Sequence, residues 1–137
     1  MKVKLLCYWA VTIIAAAELL VGAEWDLTHR PDVVQLVAHL GYPAYILTIL
    51  GFWKLLAVIA WLVPGFPRLK EWAYAGVFFE TTGAAASHIA SGGNHLMDAG
   101  GPLILAALGM ASWALRPKSR SFTVASLSRT TSIPARP

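Results

Sequence analysis

The chain has 137 residues, of which 57% are hydrophobic and 13% are charged, and its mean hydropathy is +0.59. Soluble domains carry about 25% charged residues, so this composition excludes an ordinary water-soluble domain and indicates a membrane protein. The length allows one domain. The single cysteine, Cys7, excludes an internal disulfide and any metal centre built from cysteines.

The first apolar run extends from Leu5 to Ala23 and predicts a membrane helix. Its end, Val21-Gly22-Ala23, also fits the cleavage site of a secretory signal. We favour a retained helix, because the run exceeds the ~7–15 residues usual for a signal's apolar region and because Glu18 is out of place there.

Glu18 belongs to a helical stripe that we expect to face the interior of a bundle. The stripe contains Cys7, Val11, Ile14, Glu18 and Gly22. Two interpretations of Glu18 stay open. Its carboxylate either reaches the wet interface from ~5 residues inside the helix end, or joins a buried polar cluster.

The connection from Glu24 to Pro43 predicts a short helix between the first two apolar runs. Pro31 suits its first turn, Asp32 favours the positive end of its dipole, and Gly41 stops it. Its apolar face is typical of an interfacial helix that lies on the membrane or folds over the mouth of the bundle. The spacing of His29 and His39 fits no metal motif, so we predict no metal site.

The second apolar run, Ala44 to Val63, places Lys54 near its centre. A cation at that depth costs about 2.5–3.5 kcal/mol and needs a partner. A Pro-rich hairpin, Pro64 to Lys70, follows, and Glu80 lies as far beyond the hairpin as Lys54 lies before it. Lys54 and Glu80 therefore sit at similar depth, and we predict an ion pair. Replacing both together, Lys54→Met with Glu80→Leu, should then recover much of the stability that either change alone removes. Trp53, next to Lys54, is either lipid-facing or shapes a pocket beside the pair.

The third run, from Trp72 to about Ser91, carries Glu80 on a face of small residues, which lets helices approach closely. His88 lies two turns beyond Glu80 and is either a proton relay or a side chain that hydrogen-bonds a neighbouring helix. A polar loop ending at Asp98 precedes the fourth run, which continues to about Leu115. Asp98 either caps that helix or joins Glu18 and His88 around an outer mouth.

The composition changes after Arg116, so residues 1–116 are predicted to form the membrane domain and residues 117–137 a disordered basic tail. The positive residues divide unequally between the two sides of a four-helix chain, with Arg30 alone on one side and nine residues on the other. This asymmetry predicts cytoplasmic termini. It also explains the basic pI of about 9.5 without nucleic acid. The nine residues are Lys2, Lys4, Arg68, Lys70, Arg116, Lys118, Arg120, Arg129 and Arg136.

Three stretches resemble the DoxX-like family of small bacterial membrane proteins: Leu40–Pro43, Ile49–Leu56 and Val63–Gly76. The resemblance covers roughly residues 4 to 116. It implies an all-α integral membrane protein of the bacterial inner membrane, matching the four-helix transmembrane bundle with a short interfacial helix that the patterns above predict. It implies no catalytic motif.

Three classes of function stay open. The first is a membrane subunit or accessory of a quinone-linked redox system, in which Lys54, Glu80 and His88 would bind a quinone head group or exchange its protons. The sequence predicts no haem, flavin or iron–sulfur site and hence no resident cofactor, so electrons would come from a redox partner protein. The second is a small proton-coupled transporter. The third is a structural or assembly protein, and for each class homo-oligomer formation stays open.

Overall fold

The computed structural model describes residues 2–92 and 96–121, with the side chain of residue 96 left out. Within these ranges the chain forms α-helices and no strand, which confirms the all-α prediction. The elements are α1 (Lys2–Leu27), α2 (Pro31–His39), α3 (Tyr45–Leu62), α4 (Pro67–Ala90), α5 (Leu96–Leu115) and a 3₁₀ turn (Lys118–Arg120).

The four long helices pack in a closed ring, in which α1 and α4 each contact both α3 and α5. Alanines in the core let the helices approach closely, and the Trp61 and Tyr74 rings stack at 4.7 Å between centroids. The core contains Ala15, Ala16, Leu19, Ala57, Val58, Trp61, Tyr74 and Val77. The short helix α2 is outside this ring and has no buried residue.

Within residues 2–92 and 96–121, three helices are long and apolar enough to cross a membrane by length and composition: Lys2–Leu27, Tyr45–Leu62 and Met97–Leu115. The third of the four predicted spans, Trp72 to about Ser91, corresponds to α4, which is not among them. Several charged residues, including Glu80, lower the apolar content of α4. Large apolar side chains point outward from the ring, as in Phe79, which is 71% exposed. Such a surface suits contact with lipid rather than water.

The structure corrects two helix boundaries. The first helix continues to Leu27, four residues beyond the predicted end, because neither Gly nor Pro interrupts the chain between Gly22 and Pro31. The third predicted run begins earlier, at Pro67, where proline occupies the first turn. The preceding Phe66 ends the hairpin with a left-handed backbone, φ 49°.

The predicted inner stripe of α1 is wrong. Cys7, Ile14 and Glu18 are exposed, and the buried face lies beside them. The buried residues are Tyr8, Thr12, Ala15, Ala16, Leu19, Ala23 and Asp26. This face includes most of the small residues of α1, which allow α3 and α5 to pack against it.

The first residues of the predicted tail form a short turn against the bundle. The 3₁₀ turn directly follows Pro117, and Arg120 donates a hydrogen bond from Nη1 to the Trp61 carbonyl at 3.0 Å. Residues 122–137 lie outside the described residues, so disorder there stays a prediction.

Candidate functional site

Lys54 lies between two carboxylates from different helices. Its Nζ donates to Oδ2 of Asp26 at 2.6 Å and lies 3.3 Å from Oε1 of Glu80. The side chains of Asp26, Lys54 and Glu80 are 8%, 16% and 18% exposed. We call these three residues the charged triad. It joins α1, α3 and α4, and the predicted contact between Lys54 and Glu80 is present within it.

Two glycines shape the space around the triad. A Cβ atom on Gly22 would lie 3.5 Å from Nζ of Lys54, so the lysine side chain passes directly over this glycine. A Cβ on Gly51 would lie 2.7 Å from Cγ of Leu27 and 3.1 Å from the Ala23 carbonyl oxygen. Glycine at position 51 therefore lets α3 approach α1 closely enough for Lys54 to reach Asp26.

The third member of the triad changes the charge balance that the sequence predicted. With all three groups ionised, the triad has two negative charges and one positive charge. Replacing only Lys54 and Glu80 by apolar residues leaves the Asp26 side chain buried, with its ammonium partner gone. The geometry therefore predicts that this double variant recovers less stability than the sequence alone led us to expect, because a buried uncompensated charge is strongly destabilising.

The other predicted site residues occupy different positions in the bundle. Glu18 is exposed on α1, and Asp98 is exposed in the first turn of α5 instead of preceding it as a cap. His88 is buried in the last turn of α4, where its Nδ1 has no hydrogen-bond partner among the residues that the structure describes. Trp53 is 60% exposed and packs edge-on against Phe52, with 6.5 Å between ring centroids. For each of these four residues, a role shared with the triad stays a prediction.

Asp26 is the site residue that sequence reasoning missed. It was assigned to the connection after the first apolar run, whereas it occupies the last turn of α1. Two signals were available. The absence of a helix breaker before Pro31 extends the helix, and Asp26 follows Gly22 by four residues, which places both on one helix face.

A second polar cluster lies at the C-terminal end of α3, where the last backbone carbonyls of the helix need hydrogen-bond donors. Lys70 is fully buried, and its Nζ donates to the carbonyls of Ala60 at 2.6 Å and Trp61 at 3.2 Å, and also to that of Val63. Because a cation also complements the negative end of the helix dipole, Lys70 acts as a side-chain cap that fixes the hairpin.

Buried hydroxyl groups connect three helices near that end. Ser112 of α5 lies 2.6 Å from the hydroxyl of Thr12 on α1 and 2.7 Å from the hydroxyl of Tyr74 on α4. Both Ser112 and Thr12 are fully buried. The hydroxyls satisfy one another inside the ring, so this chain of hydrogen bonds accounts for polar groups that would otherwise destabilise the core.

Comparison with known proteins gives one family. The model of the DoxX-like family matches residues 10–112, which includes all three members of the charged triad. No curated protein and no solved structure matches the chain.

Proposed function

Because the chain belongs to the DoxX-like family, we propose that it is a multi-pass protein of the bacterial inner membrane that serves as a membrane subunit or accessory of a quinone-linked redox system. In this proposal α1, α3, α4 and α5 cross the membrane, both termini are cytoplasmic, and α2 lies at the outer interface. The charged triad is the site at which a quinone head group binds and exchanges protons.

The length and pairing of α4 support the proposal that it also crosses the membrane, in addition to α1, α3 and α5. Its 24 residues rise about 36 Å, which exceeds the roughly 30 Å hydrocarbon core. Glu80, near its middle, faces Lys54 at 3.3 Å, and pairing within the bundle is how ionisable residues are tolerated in membranes. Its neighbours in the ring, α3 and α5, are both apolar enough to span.

The observation that carries the proposed chemistry is the excess of one carboxylate over the ammonium. A fully compensated pair would be sufficient to hold two helices together, whereas the additional carboxylate provides a group that can take up a proton. Reduction of a quinone to a quinol consumes two protons and two electrons, and Asp26 and Glu80 provide two proton-exchanging groups beside one cationic donor. The Lys54 ammonium can donate a hydrogen bond to a quinone oxygen. Electrons would come from a partner protein.

A photoreactive azidoquinone tests this proposal. We expect the reagent, cross-linked to purified protein in lipid nanodiscs and mapped by mass spectrometry, to label peptides around the triad. Decylubiquinone should compete with the label. A variant neutral at all three positions, Asp26→Asn with Lys54→Met and Glu80→Gln, should lose most of it.

The matched control is Asp32→Asn, which removes a carboxylate from an exposed ion pair on α2. It should label like the native protein. Labelling that decylubiquinone does not reduce, or that persists in a folded neutral triad variant, would exclude quinone binding at this site.

A structural role is the second candidate, and the position of Lys54 between carboxylates on two different helices favours it. Buried polar groups can fix helix register without any chemistry. The two candidate functions make different predictions for the activity of a folded variant whose triad is neutral. A structural role predicts that a neutral variant with native stability also keeps native activity in the cell.

A further inference from the structure

Glu18 lies inside a span without an ion-pair partner among the described residues. The other carboxylates inside the candidate spans and α4 are differently placed: Asp26 and Glu80 share Lys54, and Glu71 pairs with Arg116. Glu24 and Asp98 lie in the terminal turns of their helices, close to a membrane surface. Glu18 instead is exposed on the outer surface of the ring. A carboxylate facing lipid is costly, so its surroundings should provide either a proton or a cation.

Glu18 lies too deep in the membrane for its carboxylate to reach water easily. α1 has 26 residues, a length of about 39 Å, which exceeds the hydrocarbon core by about 9 Å. Lys2 and Lys4 must lie outside the hydrocarbon core at one end of α1. These first residues account for about half of the roughly 9 Å by which the helix is longer than the hydrocarbon core. Glu18 precedes the other end by nine residues, about 13 Å of rise, and so stays about 9 Å inside the core.

A groove between α1 and α5 opens at this carboxylate. Its volume is about 350 Å³, within the roughly 300–1,000 Å³ typical of small-molecule sites. Glu18 is the only ionisable residue among those lining it, and a Cβ added to Gly101 would meet no atom within 4 Å. The lining residues are Ile14, Glu18, Gly101, Ile104, Leu105 and Leu108.

We propose that this groove binds an amphiphilic organic cation, with Glu18 as the counterion and the apolar walls holding the hydrophobic body of the ligand. The complementarity is specific in sign, because the groove combines an apolar surface with one negative charge. An apolar molecule would provide no positive charge for the ionised carboxylate, and an anion would be repelled by it. The site is distinct from the charged triad and does not depend on quinone binding there.

Tetraphenylphosphonium and tetraphenylborate test the proposal, since they have similar shapes and opposite charges. We expect the full-length protein in nanodiscs to bind radiolabelled tetraphenylphosphonium, above the uptake of empty nanodiscs, and to bind the borate at least tenfold more weakly. Glu18→Gln should weaken tetraphenylphosphonium binding about tenfold or more, as expected when the Coulomb attraction between a carboxylate and a cation is lost.

Two glycine variants distinguish a loss of binding caused by filling the groove from a loss caused by general damage to the bundle. Gly101→Leu places a side chain in the groove while leaving Glu18 unchanged, and it should also reduce binding about tenfold. Gly83→Leu is the matched control, because position 83 is likewise exposed on a helix with no atom within 4 Å of an added Cβ. It should bind like the native protein.

Three results would overturn the proposal: equal binding of the two ions, native tetraphenylphosphonium binding in Glu18→Gln, or no binding above empty nanodiscs. If the protein binds no tetraphenylphosphonium but forms a dimer that Glu18→Gln dissociates, a second copy of the chain occupies the groove instead. Folding of each variant is checked by size-exclusion chromatography, so a loss of binding is counted only for a monodisperse protein.

Discussion

Removing Lys54 should destabilise the bundle more than removing either carboxylate. At an effective dielectric constant of about 20, an ammonium attracts carboxylates at 2.6 Å and 3.3 Å by about 6 and about 5 kcal/mol before desolvation is subtracted. Lys54→Met loses both attractions and leaves two buried like charges facing each other. The net loss should be about 3–5 kcal/mol, which corresponds to a fall in Tm of roughly 10 °C or more.

Each single amide substitution should cost far less. Asp26→Asn and Glu80→Gln both leave Lys54 with one carboxylate, and the new amide oxygen still accepts a hydrogen bond. We expect a loss of about 1 kcal/mol for each. Their small effect separates the triad from a simple ion pair, in which removal of either partner would be equally damaging.

The decisive comparison is between two multiple variants. Lys54→Met with Glu80→Leu should stay about 3 kcal/mol less stable than the native protein, because Asp26 remains buried and unpaired. Adding Asp26→Leu should restore most of that loss. Both are measured by thermal melting in one mild detergent, followed by tryptophan fluorescence and size exclusion. Native stability in the double variant would refute the assignment of Asp26 to the triad.

Three further predictions concern the rest of the bundle. Ser112→Ala should cost about 1–3 kcal/mol in a detergent melt because it leaves two buried hydroxyls with fewer partners, while Ser119→Ala, at an exposed position, should melt like the native protein. Gly51→Ala should lower the free energy of unfolding by about 1–3 kcal/mol, because the added Cβ clashes with α1, which lies close to this glycine. Gly83→Ala, at a position where the added Cβ meets no atom, should leave stability unchanged or raise it, because alanine has the higher helix propensity. Fusions of green fluorescent protein to the C-terminus should fluoresce if that terminus is cytoplasmic, and a dark fusion in a well-expressed protein would contradict the topology.

The membrane character of this protein follows from its sequence because it depends on composition and run length alone. The apolar run around Lys54 is long enough to span, and a cation inside it requires a partner regardless of the fold. The choice of Glu80 as a partner was also accessible. A short hairpin makes the two flanking helices antiparallel, and equal distances from the predicted hairpin, Pro64 to Lys70, indicated a similar depth for the two residues. The observed turn ends at Phe66, so Lys54 precedes the end of α3 by eight residues and Glu80 follows the start of α4 by thirteen.

The sequence can place Asp26 on α1, but only the tertiary structure shows that it contacts Lys54. Its contact with Lys54 joins residues 28 positions apart, across a connection whose length sets no depth relation between the two helices. Which face of α1 turns inward was likewise decided by packing: the alanines around Ala15 face α3 and α5, and Glu18 is left outside. Periodicity finds residues that share a face, but only the neighbouring helices determine which of several apolar faces is buried. For that reason the sequence predicted one buried pair, whereas the fold forms a triad and leaves a separate carboxylate in a groove.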